Sequence, residues 1–352
     1  MTTMTTIDEL LATARGYTTN GPVPAIQLAV AVDGKVVAFE TFGSATNTTR
    51  FCIFSATKPM IAAAIWLLIA EGSIDVARRV SDFIPEFDRD ELRAITVEQI
   101  MLHTSGFPNA PMRAEDGHHA VERRARFERW RVEWEPGSRF EYHAGSAHWV
   151  LADLIERVTA ADFRDFVATR ITTPLGLPRL LGIAPDDQSD IAPLVAIDPE
   201  AINDLTLAFN DASTRAAGVP GGGAFATAAD MSLFYQGLLH NPGDVWNDEV
   251  LNDARTHVRC TFDDPLMGAP VNRSLGLVIA GDDGQHILRY AIFGTNNSPG
   301  AFGHAGAHAQ VAWADPATGI SFSCLNNAVG SDQLQGGMRS HRLATIASRL
   351  RL

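Results

Sequence analysis

The stretch Phe54-Ser55-Ala56-Thr57-Lys58-Pro59 places a hydroxyl nucleophile three residues before an amine, at the start of an apolar segment. The chain contains 28 basic residues, and only Lys35 and Lys58 are lysines. Residues three positions apart share one face of a helix. A neutral lysine can accept a proton, whereas arginine keeps its proton in proteins. The spacing indicates a Ser55 nucleophile with Lys58 as its base; an N-cap serine followed by a surface lysine is the alternative.

The apolar segment that follows predicts a helix from about Ser55 to Glu71, ended by Gly72. Pro59 has no backbone N–H, so it fits the first helical turn, where N–H groups lack partners. We therefore expect Ser55 at or next to the N-cap. A lysine at this end of a helix opposes the helix dipole, which makes the surface-lysine alternative less favourable.

Length, charge and cysteine content limit the class of protein. A chain of 352 residues suggests one large domain or two interleaved ones. The net charge of −13 argues against nucleic-acid binding. No uncharged apolar run approaches the ~20 residues of a membrane span. Three scattered cysteines are too few for a disulfide framework or a zinc site. The first residues resemble no secretion signal, so we expect a cytoplasmic protein with no membrane partner.

Strand patterns lie at both ends of the chain, and helical patterns lie between them. Residues 25–32 and 35–42 are apolar runs joined by Asp33-Gly34, a strong hairpin signal. Four further strands and a final helix are predicted at 274–280, 285–292, 308–313, 320–325 and 333–350. This order predicts an α+β fold, in which an antiparallel sheet flanked by helices is built from both chain ends around an inserted, mostly helical region.

The same order predicts the domain boundaries. Residues 1–80 and 215–352 are expected to form the sheet domain, and residues 81–214 the helical insertion. Loops at 107–119 and 178–222 are long enough to act as lids over a site between the two parts.

Two further elements carry candidate site residues. Tyr142 follows a Pro-Gly turn, and a phenol near a lysine can move protons between nucleophile and leaving group; a packing role is the alternative. His304 lies between glycines that would let a substrate approach a strand. A strand entry with His304 and His308 on one face is the alternative there. We expect no metal, because a zinc pair at this spacing needs a helix and the glycines oppose one.

Taken together, these elements resemble the serine β-lactamase and penicillin-binding-protein superfamily over nearly the whole chain. The resemblance is strongest to the class C-like branch, which includes family VIII carboxylesterases, D-aminopeptidases and nylon-oligomer hydrolases. The motifs that carry it are Phe54-Ser55-Ala56-Thr57-Lys58-Pro59, Glu71-Gly72-Ser73-Ile74-Asp75, Val80-Ser81-Asp82-Phe83-Ile84-Pro85, Ile100-Met101-Leu102-His103-Thr104-Ser105-Gly106 and Pro220-Gly221-Gly222-Gly223 through Asp230.

The resemblance implies a role for each candidate. Ser55 would be the acylated nucleophile, Lys58 its base and Tyr142 the tyrosine that assists proton transfer. The backbone N–H groups of Ser55 and Ala307 would form the oxyanion hole. His304-Ala305-Gly306 stands where penicillin-recognising members have Lys-Thr-Gly, which makes His304 and Gly306 candidate substrate contacts.

Two departures from the family pattern bear on the substrate. The second motif reads Tyr142-His143-Ala144 and lacks the asparagine two residues after the tyrosine, and His304 replaces the lysine of the third motif. In the family, the missing groups recognise the amide and carboxylate of a β-lactam. His143 either fills the space of the asparagine, as a substrate contact, or packs structurally.

The preferred interpretation is therefore a carboxylesterase-like serine hydrolase that acts through an acyl-enzyme on small esters. An amidase, a peptidase or an acyltransferase of the same fold is the alternative. A β-lactamase or a DD-peptidase is less favoured, because the groups with which the family recognises a β-lactam are missing. An inactive binding module is less favoured, because the serine, lysine and tyrosine are all present. No cofactor is expected, the partner would be a small ester or amide, and the oligomeric state is left open.

Overall fold

The computed structural model describes residues 6–284, 289 and 292–352. Its strands are β1 (Ala25–Val32), β2 (Lys35–Gly43), β3 (Phe51–Cys52), β4 (Val195–Ala196), β5 (Phe225–Ala226), β6 (Val278–Ile279), β7 (Phe302–Gly306), β8 (Gln310–Asp315), β9 (Ile320–Asn326) and β10 (Ala328–Val329). Its α-helices are α1 (Ile7–Thr19), α2 (Lys58–Ala70), α3 (Val97–Met101), α4 (Ala114–His118), α5 (Ala120–Phe127), α6 (Ser146–Thr159), α7 (Phe163–Val167), α8 (Ala212–Ala217), α9 (Ala228–His240), α10 (Asp248–Thr256) and α11 (Gln333–Ala347).

The main sheet has six antiparallel strands in the order β2-β1-β9-β8-β7-β6. Asp33 and Gly34 join β1 to β2 with φ values of 50° and 73°, as a tight hairpin turn requires. β1 then pairs with β9, where Leu28 lies opposite Cys324. The predicted α+β fold, with a sheet built from both ends of the chain, is confirmed.

Helices cover both faces of this sheet. Ile26 and Leu28 of β1 pack in one apolar cluster with Leu10 of α1 and Leu343 of α11. The opposite face carries α9, whose Ser232 hydroxyl donates a 3.0 Å hydrogen bond to the carbonyl of Ala29. Because side chains alternate along a strand, β1 contributes to two apolar layers and is buried along almost its whole length.

The two predicted domain units share a hydrophobic core. Trp66 of α2 and Trp149 of α6 belong to the same cluster of buried residues, although they lie on opposite sides of the predicted boundary. The boundaries at 80 and 215 stay a prediction. Within the described residues, the helices are too short or too polar to cross a membrane.

Several predicted elements differ in length from the observed ones. Of the strand predicted over 274–280, only β6 forms. Gly276 has a φ of 101°, and it lies so close to Ala62 that an added Cβ would be 2.2 Å from the Cβ of that residue. The chain bends there rather than extending. The charged stretch from Ala120 to about Trp134, whose composition also predicts a helix, is helical only as far as Phe127. The strand predicted over 285–292 falls largely on residues outside the described part of the chain.

Candidate active site

Ser55 lies in a 3₁₀ turn, Phe54–Thr57, that immediately precedes α2. The α-helix begins at Lys58, and Thr57 is its N-cap. Ser55 therefore lies two residues before the N-cap, and the expectation that it would lie at the N-cap or next to it is wrong. The reason is that Phe54 adopts a φ of 45°, which redirects the backbone before the helix starts. Ser55 is half-buried between buried neighbours, so its side chain faces the accessible side of the turn.

A short sheet holds this turn against the glycine-rich loop at 221–223. β3 pairs with β5, and the N–H of Ile53 donates a 3.1 Å bond to the carbonyl of Ala224. The N–H of Ala224 in turn donates a 3.1 Å bond to the hydroxyl of Thr57. Ile53 and Thr57, on either side of the serine, are therefore hydrogen-bonded to Ala224, the residue that directly follows this loop.

Lys58 has three polar neighbours that match the geometry of a base. Its Nζ lies 2.8 Å from the carbonyl oxygen of Ala144, 2.5 Å from that of Gly221 and 3.1 Å from Ser55 Oγ. A neutral amine has two N–H groups and one lone pair. If the two carbonyls accept the two N–H groups, the lone pair is left for the hydroxyl proton of Ser55.

The surroundings of Lys58 favour that neutral form. The side chain is 1% exposed, and this burial is the main cause that lowers the pKa of Lys58 below its ordinary value. The cationic guanidinium of Arg273 lowers it further, while the phenol of Tyr142 acts in the opposite direction. The lowered pKa of Lys58 favours the neutral amine, which is the form that a lysine base needs in order to accept a proton.

Tyr142 lies beside Lys58, with 5.1 Å between Nζ and the centroid of the ring. Its hydroxyl is buried and has no hydrogen-bond partner among the described residues. Buried tyrosine hydroxyls usually have a partner, so this one is free to bind a group that enters the site.

The ring of His143 makes its hydrogen bonds to the backbone of neighbouring loop residues. The side chain is fully buried, Nδ1–H donates a 2.6 Å bond to the carbonyl of Glu141, and Nε2 accepts a 3.2 Å bond from the N–H of Phe107. Burial lowers the pKa of His143 to about 4, so the ring is neutral. These contacts favour the structural alternative, and a substrate contact through His143 stays a prediction.

The third motif lies against the serine turn. Gly306 ends β7 so close to this turn that a Cβ would lie 2.2 Å from the carbonyl oxygen of Ile53, which only glycine can avoid. Ala307 follows and is exposed. His304 is buried, donates from Nδ1 a 2.6 Å bond to the carbonyl of Ala305, and has a pKa well below its ordinary value, chiefly because of burial.

His304 and His308 do not share a strand face, so that alternative is wrong. His308 lies in the turn between β7 and β8, where its φ is 56°, and its Nε2 is 2.9 Å from the hydroxyl of Thr206. Across the residues that the structure describes, no group of three or more His, Cys, Asp or Glu side chains is arranged to hold a metal ion.

Arg273 is a member of the site that the sequence analysis missed. Its guanidinium lies 5.1 Å from the centroid of the Tyr142 ring, and its Nη1 is 3.4 Å from Nε2 of His304. Nothing in the sequence marks this arginine, because it lies in an irregular segment 31 positions before His304 and belongs to no motif. Only the folded chain brings it to the site.

The sheet topology and the serine–lysine pair place the chain among the β-lactamase-fold hydrolases. The family described as Beta-lactamase matches residues 7–345, and the chain belongs to that family.

Individual relatives agree with this assignment. The esterase/beta-lactamase LipL of Mycobacterium tuberculosis is 25% identical over 313 residues, which cover 78% of this chain and 68% of LipL. A putative D-alanyl-D-alanine carboxypeptidase of Salmonella paratyphi B is 26% identical and covers 86% of this chain and 78% of its own. Among solved structures, a family VIII carboxylesterase superposes with a TM-score of 0.81 at 21% identity, covering 97% of this chain and 96% of that one.

Proposed function

We propose that the protein is a carboxylesterase-like serine hydrolase that cleaves small esters through an acyl-enzyme on Ser55. The observation that carries the proposal is the position of Lys58 Nζ, which is buried between two backbone carbonyls and 3.1 Å from Ser55 Oγ. A serine hydroxyl is a weak nucleophile until a neighbouring base takes its proton. A buried amine with both N–H groups directed at carbonyls is suited to that task.

In the proposed acylation step, Ser55 Oγ attacks the ester carbonyl while Lys58 takes the hydroxyl proton. The carbonyl oxygen becomes an oxyanion, which the backbone N–H groups of Ser55 and Ala307 would stabilise. The close approach of Gly306 to Ile53 supports this placement, because it puts the residue after Gly306 beside the serine turn. Donors of this kind are each worth about 2.7–4 kcal/mol in the transition state.

The tetrahedral intermediate then expels the alcohol, which needs a proton. The buried hydroxyl of Tyr142 lies next to Lys58 and has no hydrogen-bond partner within the part of the chain that the structure describes, so it is suited to pass the proton from the amine to the leaving oxygen. In the second half of the reaction, water attacks the acyl-enzyme, the same groups remove its proton, and the acid leaves.

An ester is the preferred substrate because the site offers little to an amide. Ala144 occupies the position of the family's asparagine; its methyl group cannot hydrogen-bond, and its carbonyl already accepts from Lys58. Esters also have a better leaving group and need less assistance. The relatives that are named as an esterase and as a carboxylesterase support the same choice.

The test is intact-protein mass after brief exposure to a fluorophosphonate, with turnover of p-nitrophenyl acetate and butyrate measured alongside. We expect one adduct and ester turnover in the native protein, and neither in Ser55→Ala. Ser73→Ala is the matched control, because Ser73 is exposed and lies beyond the far end of α2. An adduct that persists in Ser55→Ala would place the nucleophile elsewhere, and adduct formation without ester turnover would favour the amidase alternative.

A further inference from the structure

We propose that His308 is a positioning residue of the oxyanion hole, and that its side chain fixes the N–H of Ala307 relative to the N–H of Ser55. This inference rests on the proposed function, because it concerns the oxyanion that the reaction of Ser55 produces. It starts from an unusual backbone conformation in the turn between β7 and β8.

The turn between β7 and β8 consists of Ala307, His308 and Ala309, and its last two residues have φ values of 56° and 69°. These values lie in the left-handed region, which glycine and asparagine enter more readily than residues with a larger side chain. A ring side chain in this conformation is costly unless the surrounding structure holds it there. The contacts of His308 should therefore show what its ring contributes.

The ring of His308 is buried and lies against the serine turn. Its centroid is 5.4 Å from that of the Phe54 ring, in an edge-to-face arrangement. Phe54 directly precedes Ser55, and it also has a left-handed φ, of 45°. His308 directly follows Ala307 in the chain. The contact between the two rings therefore connects the residues next to Ser55 and Ala307, whose N–H groups would bind the oxyanion.

The ring is also hydrogen-bonded to the loop at 204–210. Nε2 of His308 lies 2.9 Å from Oγ1 of Thr206, which itself donates a 2.7 Å bond to the carboxylate of Asp204. Because the Thr206 hydroxyl uses its single proton on Asp204, it can only accept a bond from Nε2–H of His308. Burial lowers the pKa of His308, although the Asp204 carboxylate acts in the opposite direction, so the ring is neutral at neutral pH. This bond gives the ring a defined orientation.

The backbone on both sides of Ala307 is fixed as well. The carbonyl of His308 accepts a 2.9 Å bond from Nδ2 of Asn326, at the end of β9. Before the turn, Gly306 pairs with Gln310 in the β7–β8 ladder. Ala307 itself is exposed and has only a methyl side chain, which gives it no anchor of its own. Its N–H is therefore placed by these neighbours, and within the turn His308 supplies the one large side chain.

The experiment compares an ester with its thionoester, in which sulfur replaces the carbonyl oxygen. Sulfur is a weak hydrogen-bond acceptor, so the thionoester gains less from the oxyanion hole than the ester does. Both compounds require the same attack by Ser55. The value of kcat/KM is measured for p-nitrophenyl butyrate and p-nitrophenyl thionobutyrate by the release of nitrophenolate. A general loss of active protein cancels in the ratio of the two values, whereas a misplaced oxyanion donor lowers it.

His308→Asn is the test variant, because asparagine tolerates a left-handed φ and removes the ring. We expect the ester-to-thionoester ratio of kcat/KM to fall about 10- to 100-fold, since one oxyanion donor is misplaced rather than lost. His308→Phe should lower the ratio less, because it keeps a ring against Phe54 and loses only the bond to Thr206. His257→Asn is the matched control, since His257 is exposed and pairs with Asp253 on the surface.

An unchanged ratio in His308→Asn would overturn the proposal. This holds even if both rates fall, because equal losses would assign His308 to the stability of the fold alone. Thermal melting shows whether the variant is folded. If it is not, Thr206→Val takes its place, because valine removes the acceptor of the ring and should lower the ratio in the same direction; an unchanged ratio there would count equally against the proposal.

Crystal structures of the native protein and of the folded variant separate this proposal from the proposed function, because they need no turnover. We expect the distance between the backbone nitrogens of Ser55 and Ala307 to change by about 0.5–1 Å in the variant. An unchanged distance, together with normal ester turnover by the native protein, would refute the role of His308 and leave the esterase proposal intact. A changed distance in a protein that neither turns over esters nor reacts with the fluorophosphonate would support the role of His308 in placing Ala307 and refute the proposed function.

Discussion

Replacing Gly221 with alanine tests the geometry of the lysine base. An added Cβ would lie 2.9 Å from the carbonyl oxygen of Ala144 and 3.4 Å from Lys58 Nζ. Carbon contacts are comfortable from about 3.5 Å outward, so the Ala144 carbonyl must retreat by about 0.5 Å. A misplacement of about 1 Å near a reacting group can cost about a hundredfold in rate. We therefore expect kcat to fall about tenfold, because the amine loses one of the two carbonyls that orient its lone pair.

Gly222→Ala is the matched control for this experiment. A Cβ on Gly222 would come no closer than 3.7 Å to its neighbours, and neither glycine has a positive φ that an alanine would strain. Both variants are assayed with p-nitrophenyl butyrate well below their melting temperatures, since overpacking at position 221 should cost about 1–3 kcal/mol of stability. Equal kcat values for the two variants, or a slower Gly222→Ala, would refute the role assigned to the Ala144 carbonyl.

Three further predictions follow from the same contacts. The rate of fluorophosphonate labelling should rise with pH and reach half its maximum below pH 10.5. The reason is that burial and Arg273 lower the pKa of Lys58 from that value, and only the neutral amine accepts the proton of Ser55. A labelling rate that does not change from pH 5 to pH 10 would contradict this prediction. Lys58→Arg should lower ester turnover by about a thousandfold, because arginine stays protonated, and turnover within tenfold of the native protein would place the base elsewhere. Asp153→Ala should lower the free energy of unfolding by about 3–5 kcal/mol, because it leaves the buried guanidinium of Arg123 with one acid fewer; an unchanged denaturant midpoint would show that this ion pair adds nothing.

Local signals in the sequence were sufficient for the elements that depend on neighbouring residues. The Asp33-Gly34 turn predicts its hairpin because two residues with positive φ are needed there and few residue types tolerate it. Thr227-Ala228-Ala229-Asp230 has the spacing of a capping box, which marks the start of a helix, and the structure has this box at the start of α9. The serine–lysine spacing pointed to a pair whose atoms lie 3.1 Å apart.

The sequence was insufficient where distant residues determine the local conformation. The turn that carries Ser55 departs from the predicted helix start because Ile53 and Thr57 bond to Ala224, far along the chain. Arg273 reaches the site only through the packing of Phe140 and Tyr142, which no pattern around position 273 encodes. A periodic sequence pattern predicts one helix or strand at a time, whereas these contacts join separate segments of the chain.

The pairing of β1 with β9 has a consequence during protein synthesis. Leu28 and Cys324 are neighbours in the sheet, so about 300 residues separate the translation of one strand from that of its partner. At about 5–20 residues per second, the ribosome needs about 15–60 s to deliver β9. During that interval the hairpin of β1 and β2 exposes an apolar strand with an unpaired edge, which is the kind of surface that chaperones bind and that aggregates when left alone. The yield of the active protein in cells should therefore depend on how well this hairpin is protected while the rest of the chain is being made.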